Sequence, residues 1–476
     1  MTTSGFNALF PGLRAWQPPG ATDAERLEAL YRLSQASFGR TESENQAIPA
    51  GYTYFGQLVT HDLTFDARPS FGAPLATVPN LRSAALDLDC VYGRGREDQP
   101  YLYSLSNPAK FLVGRNGNWE HDLPRNPDDA LDDGSTCEFL KRQRIALAGD
   151  PRNDENILLS QLHLQVLRFH NRWIDEGRSF EEARRLTCWH YQWLVVHDFL
   201  KRLCGVEFVD RILGHNGHPN LRHFRLEEPL VPLEFAAAAF RLGHSMVRPA
   251  YRLSDALSSL RGHPITILNP LDSTNSLEGN RELPANWSIQ WDYFVDTGLE
   301  QRPQVSMRID RNIAAPLLSA LPSRDDTRLR SLATRTLLRG WRAGLPSGQA
   351  IAASAGITPL DGADEPLWLY LLKEAEMQCD GRYLGTLGAT IVAEVVVGLL
   401  AADRNSFFTQ RPNWRPDLEN QGRFQLVDFL RFAGAPLSRS DWYVERRRAD
   451  EARKRSLERQ NFLKPSQRPA PELPSR

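Results

Sequence analysis

Helical hydrophobic periodicity constrains the fold of this chain more than any other feature. Apolar residues recur with helical spacing from Ile157 through Leu162 and Val166 to Phe169, which predicts a helix continuing to about Asp175. The same period predicts helices over residues 23–36, 180–204, 233–247, 329–341, 348–355, 366–376 and 387–402, and one within 48–66. Alternating strand patterns are scarce, with one short hairpin predicted within 262–303. The sequence therefore predicts a mainly α fold with long loops and little β structure.

The 476 residues divide into three predicted parts. No internal repeat and no clear boundary interrupts residues 45–440, which we interpret as one large helical domain. Residues 1–44 are loop-rich and form a predicted N-terminal extension. Residues 441–476 contain a mostly charged stretch followed by several prolines, a pattern typical of an exposed charged helix and a disordered tail.

The charge balance and the cysteine content exclude several classes of protein. Lys and Arg number 57 against 58 Asp and Glu, so no global charge attracts nucleic acid or an anionic membrane. The first ten residues lack the features of a secretory signal, and residues 387–402 are short for a membrane span. We expect a cytoplasmic protein, with export by a non-classical route left open. An odd, scattered cysteine set argues against a disulfide framework: Cys90, Cys137, Cys188, Cys204 and Cys379.

The first segment with candidate chemistry runs from Gly56 to Thr64. Gln57 and His61 are four residues apart and share one face of the predicted helix, while Asp62 points elsewhere. Because imidazole titrates near neutral pH, His61 is a candidate general acid or base. A single histidine at a helix end is more often held by ordinary hydrogen bonds, so this segment alone decides nothing.

The second segment carries closely spaced oxygen ligands. Asp87 and Asp89 are two residues apart, with Ser83 just upstream. This composition suits a hard cation that requires several oxygen ligands, although the spacing is not that of an EF-hand. Spacing alone favours an acidic surface loop.

The third segment begins with a Gly-Asp-Pro turn at Gly149 and places Arg152 and Glu155 about one helical turn apart. They could form a surface ion pair of little energetic value, or Arg152 could stabilise negative charge that develops at a reacting centre. His163 and His170 on the following helix share one face, and we interpret them as core histidines.

The fourth segment places Gly243 immediately before His244 within an otherwise apolar helix. A glycine permits close approach of a planar macrocycle, and histidine is a suitable axial ligand of haem iron. Alone, this pattern is more often a packed core histidine.

Together, the four segments resemble the animal-type haem peroxidases of the peroxidase–cyclooxygenase superfamily, over roughly residues 45–440. The chain looks closest to the compact bacterial members. The resemblance implies a haem peroxidase that uses H2O2 to oxidise small organic donors or halide and pseudohalide anions through an oxo-ferryl intermediate, with a place in the response to oxidative stress. It implies haem b and Ca2+ as cofactors, and no nucleic-acid partner. The reducing substrate and the oligomeric state stay open.

The resemblance also implies roles for individual residues. His61 would be the distal histidine that moves the peroxide proton, Gln57 would line the distal pocket, and Arg152 would stabilise charge during O–O cleavage. His244 would be the proximal iron ligand, and Arg339 would pair with a haem propionate. Thr336 stands where the family usually has the Asn that partners the proximal histidine.

Further implied ligands concern calcium and covalent attachment of the haem. Glu155 matches a residue that forms an ester to a haem methyl in mammalian members. Thr60 and Asn156 replace the residues that make the other covalent links, so at most one ester is expected. The implied calcium ligands are Asp62, Ser83, the carbonyl of Ala85, Asp87 and Asp89.

Two other functions remain open at this point. A fatty-acid dioxygenase of the same fold would carry a radical Tyr three residues before the proximal histidine, where this chain has Arg241. A non-catalytic haem- or calcium-binding protein would be expected to lack His61 or Arg152, and both are present.

Overall fold

The computed structural model describes residues 5–66, 79–116, 119–126, 145–284, 286–299, 301–323, 326–420 and 422–444. The fold is mainly helical, as predicted. The α-helices are α1 (Asp23–Ser37), α2 (Gly51–Leu63), α3 (Asp89–Tyr92), α4 (Ile157–Asp175), α5 (Phe180–Leu194), α6 (Leu200–Cys204), α7 (Val206–Leu213), α8 (Leu233–Ala237), α9 (Gly243–Met246), α10 (Asp255–Arg261), α11 (Ala315–Ser319), α12 (Leu332–Arg342), α13 (Gly348–Ser354), α14 (Leu367–Cys379), α15 (Thr386–Ala402), α16 (Phe407–Gln410) and α17 (Leu426–Phe432).

The strands in the described ranges form only two-stranded pairs. The strands are β1 (Phe6–Asn7), β2 (Glu44–Pro49), β3 (Gly114–Asn116), β4 (Trp119–Asp122), β5 (Val231–Pro232), β6 (Ala250–Tyr251), β7 (Ile265–Thr266) and β8 (Val305–Met307). β1 pairs with β5 in parallel, whereas β2 with β8, β3 with β4, and β6 with β7 are antiparallel. The hairpin predicted within residues 262–303 is wrong, because β7 pairs with β6, which lies upstream of that stretch.

Helices with several turns were predicted well. The predictions over residues 23–36, 157–175, 348–355 and 387–402 are confirmed to within one residue at each end. The helix predicted from residue 329 is α12, which begins three residues later, at Leu332. Ser331 caps it there by accepting a hydrogen bond from the Thr334 amide. Six short helices were missed, since segments of four to eight residues hold too few turns for a clear period: α3, α7, α10, α11, α16 and α17.

The helix predicted over residues 180–204 contains a π-helical turn. α5 continues into this turn at Val195–Phe199, and α6 follows directly. Such turns insert an extra residue and often occur at functional sites. Asp198 in this turn accepts a hydrogen bond from the Tyr52 hydroxyl of α2 at 2.5 Å. The turn therefore ties α5 and α6 to α2.

The single helix predicted over residues 233–247 is wrong. α8 ends at Ala237, a 3₁₀ turn follows at Ala239–Leu242, and α9 begins at Gly243. Side chains take carbonyls that a continuous helix would use: the Arg241 Nε donates to the Ala236 carbonyl, and the Trp368 Nε1 donates to the Arg241 carbonyl. The break gives His244 a short helix of its own.

The core is built around α4 and α15, both of which are largely buried. Within α15, buried Glu394 accepts hydrogen bonds from the backbone amides of Arg222, His223 and Phe224 at 2.7 to 3.1 Å. None of the helices in the described ranges combines the length and apolar character that a membrane crossing requires.

Both predicted end segments contact this core where they are described. In the N-terminal part, Leu9 and Phe10 are buried, and Ser34 of α1 bonds Thr334 of α12 at 2.8 Å. In the C-terminal segment, Trp442 is buried. The domain boundaries at residues 44 and 440 stay predictions. Cys137 and the charged stretch from residue 445 lie outside the described residues.

Candidate active site

A cavity of about 400 Å³ lies between α2, α9, the π-helical turn and the loop that follows β7. Pockets of this size commonly hold small molecules or cofactors. Predicted site residues from three separate segments line it together: Gln57, His61, Glu155 and His244. The prediction that Gln57 and His61 share one face of a helix is confirmed.

His61 is held in one tautomer by Asn153, a residue that sequence reasoning missed. The Asn153 amide nitrogen lies 3.2 Å from the Cys90 carbonyl and 2.8 Å from Nδ1 of His163. Its oxygen must therefore accept from Nδ1–H of His61, at 2.9 Å. Nε2 of His61 is left unprotonated, and burial, helped by Arg152, lowers the pKa of His61 to about 3. His61 is therefore a neutral base at neutral pH.

Glu155 lies beside His61 at the start of α4. Its Oε1 is 3.7 Å from Nε2 of His61 and accepts a hydrogen bond from Nε2 of Gln57. Asn156, which caps α4, donates to Oε1 of Gln57 at 3.1 Å. Burial within the surrounding protein raises the pKa of Glu155 to about 7, although 44% of its side-chain surface remains open to the cavity region.

Arg152 does not form the ion pair with Glu155 that its spacing suggested. It lies in a 3₁₀ turn (Pro151–Asp154) that begins at Asp150, and its guanidinium pairs with that carboxylate at 2.7 Å rather than with Glu155. It also donates to the carbonyls of His61 (3.2 Å) and Thr64 (2.7 Å). Arg152 is not among the residues that line the cavity, so its action on a bound peroxide stays a prediction.

His244 is oriented by Thr336, the residue at the position that the family resemblance pointed to. The Thr336 hydroxyl donates to the Leu332 carbonyl at 2.8 Å, so its oxygen accepts from Nδ1–H of His244 at 3.2 Å. Nε2 of His244 is thereby left with a free lone pair. Burial, with Arg241 and Arg339, lowers the pKa of His244 to about 3. A side chain added at Gly243 would meet no atom within 4 Å, which shows open space beside this histidine.

Arg241 lines the same cavity and carries a charge that no described carboxylate pairs at salt-bridge distance. Burial, together with the nearby Arg339 and Arg152, lowers its pKa to about 9. Arg339 lies 3.4 Å from Asp66 and is also largely buried. Because a buried cation is costly without an anion, the position of Arg241 suits a ligand that carries a carboxylate. Sequence reasoning missed Arg241 as a cavity residue, because a continuous helix over residues 233–247 gives no signal for the break that precedes it.

Asp62, Asp87 and Asp89 form a cluster with potential metal-ligand atoms within 4.8 Å of one another. Neither carboxylate oxygen of Asp62 has a hydrogen-bond partner among the described residues. Burial and mutual repulsion raise the pKa of Asp62 well above its ordinary value, and that of Asp89 to about 7. The carboxylates are thus poised for a cation. Ser83 joins them, with its hydroxyl 2.8 Å from Asp87, whereas the Ala85 carbonyl stays a prediction.

Comparison with known proteins identifies the class. The model of the animal haem peroxidase family matches residues 71–365, more than half of the chain, and the chain belongs to this family. Human lactoperoxidase is 30% identical over 179 residues, which are 35% of this chain and 24% of that protein. Human myeloperoxidase is 25% identical over 271 residues, 52% of this chain and 35% of that protein. The predicted family is confirmed, and membership implies that the chain binds haem.

Solved structures support the fold. Peroxidase A from Dictyostelium discoideum superposes with a TM-score of 0.62 at 16% identity, covering 92% of this chain and 94% of that one. A fatty acid alpha-dioxygenase from Oryza sativa superposes with a TM-score of 0.54 at 15% identity, covering 89% and 80%. The matched region spans only 12% to 35% of the length of the curated relatives.

Proposed function

We propose that this protein is a haem peroxidase that uses H2O2 to oxidise small organic donors or halide and pseudohalide anions. One observation carries the proposal: His61 and His244, from separate helices, face the same cavity, and each has its Nε2 unprotonated. A peroxidase requires one such nitrogen to bind iron and another to accept a proton.

The residues present fit a haem group. His244 offers Nε2 to the iron, Gly243 leaves space beside it, and the buried cations Arg241 and Arg339 suit the two propionates. When bound, haem supplies the iron that exchanges electrons with peroxide. Glu155 lines the cavity and offers a carboxylate for the single ester that the resemblance implies, since Thr60 has no carboxylate.

The chain itself manages the proton. H2O2 in the cavity gives a proton to Nε2 of His61, and the same nitrogen returns it to the leaving oxygen as the O–O bond breaks. Asn153 keeps Nδ1 of His61 protonated throughout, so the proton moves only at Nε2. Gln57 holds water or a small anion next to Glu155.

We further propose that Asp62, Asp87 and Asp89 bind Ca2+, with Ser83 and the Ala85 carbonyl. The close approach of the three carboxylates supports this proposal, as does buried Asp62, whose oxygens have no hydrogen-bond partner among the described residues. Asp62 adjoins His61, and Arg82 links the cluster to the Arg152 anchor by contacting both Asp89 (3.6 Å) and Asp150 (2.5 Å). Calcium would therefore hold His61 in position as well as the segment of residues 83–89.

The fatty-acid dioxygenase function is less well supported. The residue three positions before His244 is Arg241, whose guanidinium cannot form the radical that a tyrosine forms. The similarity to plant alpha-dioxygenases concerns the fold alone. A non-catalytic role is disfavoured because the histidine needed for peroxide chemistry is present and oriented.

The first experiment is an absorption spectrum of the purified, haem-loaded protein. We expect a strong Soret band that shifts with one equivalent of H2O2 and recovers when a small phenol is added. Acidic butanone extraction of the same sample would report whether Glu155 is esterified. A protein that takes up haem but shows no spectral response to H2O2 would contradict the peroxidase proposal.

A further inference from the structure

Three tryptophans lie behind the proximal histidine, around one small void that Thr336 also lines. They are Trp368, Trp341 and Trp16, referred to below as the tryptophan trio. The ring centroid of Trp368 is 6.0 Å from that of His244, at an interplanar angle of 74°. Trp368 and Trp341 are buried, whereas Trp16 is partly exposed. The trio thus extends from the predicted iron ligand to the protein surface.

Each indole of the trio makes the same kind of hydrogen bond. Nε1 of Trp368 donates to the Arg241 carbonyl at 3.3 Å, and Nε1 of Trp16 donates to the Asp364 carbonyl at 3.1 Å. Nε1 of Trp341 donates to the Gln17 side-chain oxygen at 3.0 Å. A neutral oxygen at the N–H stabilises positive charge on an oxidised indole without removing its proton. All three rings are therefore suited to lose and regain an electron.

The charges around the trio differ from ring to ring. Trp341 lies beneath the guanidinium groups of Arg342 (4.5 Å) and Arg26 (5.8 Å), both of which pair with Asp23. Nearby cations disfavour positive charge on Trp341, so its oxidised form would be short-lived. In the described part of the chain, no cation lies over the ring of Trp16 or Trp368. Positive charge is therefore better accommodated on Trp16, at the surface, than on Trp341.

We propose that the tryptophan trio conducts electrons from bulky phenolic donors at the surface near Trp16 to the haem held by His244. This inference rests on the proposed peroxidase function. Bound haem would occupy much of the cavity of about 400 Å³, so a phenol carried by a macromolecule cannot reach it directly. The trio offers such donors a second site of oxidation.

The electron balance is simple. Trp368 would give one electron to the haem that peroxide has oxidised. An electron from Trp16 would then reduce oxidised Trp368 by way of Trp341, and an electron from the donor phenol would reduce oxidised Trp16. The phenol loses its proton to solvent and becomes a phenoxyl radical. Two such donors supply the two electrons that reduce one H2O2, with two protons, to two molecules of water.

The test compares two phenols of different size, p-cresol and tyramine coupled to dextran, with haem-loaded protein and H2O2. We expect Trp16→Phe to oxidise p-cresol normally but to lose roughly tenfold or more of its rate with the dextran-bound phenol. Trp16→Tyr should recover much of that rate, because a phenol side chain can also pass on an electron. Trp193→Phe, which alters a partly buried tryptophan outside the trio and the cavity, should match the unaltered protein.

A nitroso spin trap added with H2O2, without any donor, gives a readout independent of turnover. We expect peptide mass spectrometry to locate the adduct at Trp16 and to find none there in Trp368→Phe. An adduct only at the cavity-lining Tyr52, or unchanged oxidation of the dextran-bound phenol by Trp16→Phe, would overturn the proposal. If the unaltered protein oxidises p-cresol but not the dextran-bound phenol, the proposal of electron transfer through the trio is wrong. If it oxidises neither phenol, the proposed peroxidase function is wrong as well.

Discussion

The two histidines of the cavity are oriented alike but surrounded differently. Both donate Nδ1–H to a neutral side-chain oxygen, His61 to Asn153 at 2.9 Å and His244 to Thr336 at 3.2 Å. Around His61 lie polar groups: Gln57, Glu155 and the carbonyl contacts of Arg152. Around His244 lie open space beside Gly243 and the ring of Trp368. The first environment suits proton movement, and the second suits a fixed ligand.

The largest expected effect tests the second environment. His244→Ala removes the only nitrogen that we assign to the iron, so we expect loss of iron ligation and of all peroxidase activity. The measurement is the absorption and EPR spectrum of the haem-loaded variant. Added imidazole should restore ligation in part. A normal spectrum in His244→Ala would show that the proximal assignment is wrong.

The next largest effect tests the first environment. His61→Ala should keep the Soret band but react with H2O2 roughly 10²- to 10⁴-fold more slowly, the usual loss when a general acid–base group is removed. Stopped-flow absorption measures this rate. His197→Ala, a histidine outside the cavity, is the matched control. If His61→Ala reacts at the normal rate, His61 is not the base.

A smaller effect is expected at Asn153, which acts through His61. Asn153→Ala removes the acceptor that fixes the tautomer, so a fraction of the imidazole would carry its proton on Nε2 and could not accept another. We expect the rate with H2O2 to fall roughly tenfold, as for loss of one buried hydrogen bond. The pKa of His61 is already about 3, and losing the Asn153 hydrogen bond lowers it further, so both tautomers are neutral and we expect no recovery at higher pH. An unchanged rate would contradict the tautomer assignment.

The distal and proximal regions also differ in how far sequence alone could predict them. Gln57 and His61 lie on one uninterrupted helix, so a local period placed them on one face. The contact between His244 and Thr336 joins residues 92 positions apart, and only the family resemblance suggested it. No local pattern could reveal that pairing, because it depends on how α9 and α12 pack.

Sequence reasoning missed Arg241 as a cavity residue and gave Arg152 the wrong partner, and both errors depend on interrupted helices. Arg241 faces the cavity because the backbone leaves helical geometry at Ala238, a break that apolar periodicity does not show. Arg152 pairs with Asp150 because Asp150 begins the 3₁₀ turn and already binds the Arg152 amide at 2.9 Å. A spacing rule for helices favoured Glu155 instead. At both Arg241 and Arg152, a hydrogen bond between a side chain and a backbone group thus replaces regular helical geometry.

The smallest expected effect concerns the proposed calcium site, whose carboxylates include Asp62, next to His61. In protein without the cation, unfolded Asp89 ionises near its ordinary pKa of 3.8, whereas folded Asp89 keeps its proton to about pH 7. The unfolded state therefore binds fewer protons in this window, and stability without calcium falls as pH rises through it. Calcium bound by the three carboxylates would offset this loss of stability. We expect a chelator to lower the Tm by several degrees at about pH 8 and by little at about pH 4.

Removal of calcium should affect His61 but not His244. Because Asp62 adjoins His61 and Arg82 contacts Asp150, calcium loss should slow the reaction with H2O2 while the spectrum of the His244-bound haem stays unchanged. Asp89→Asn removes one of the repelling charges, so its Tm should depend less on both chelator and pH. A chelator effect of equal size at both pH values would argue against an aspartate-held cation. A spectral change without a change in rate would place the calcium effect on the proximal side instead.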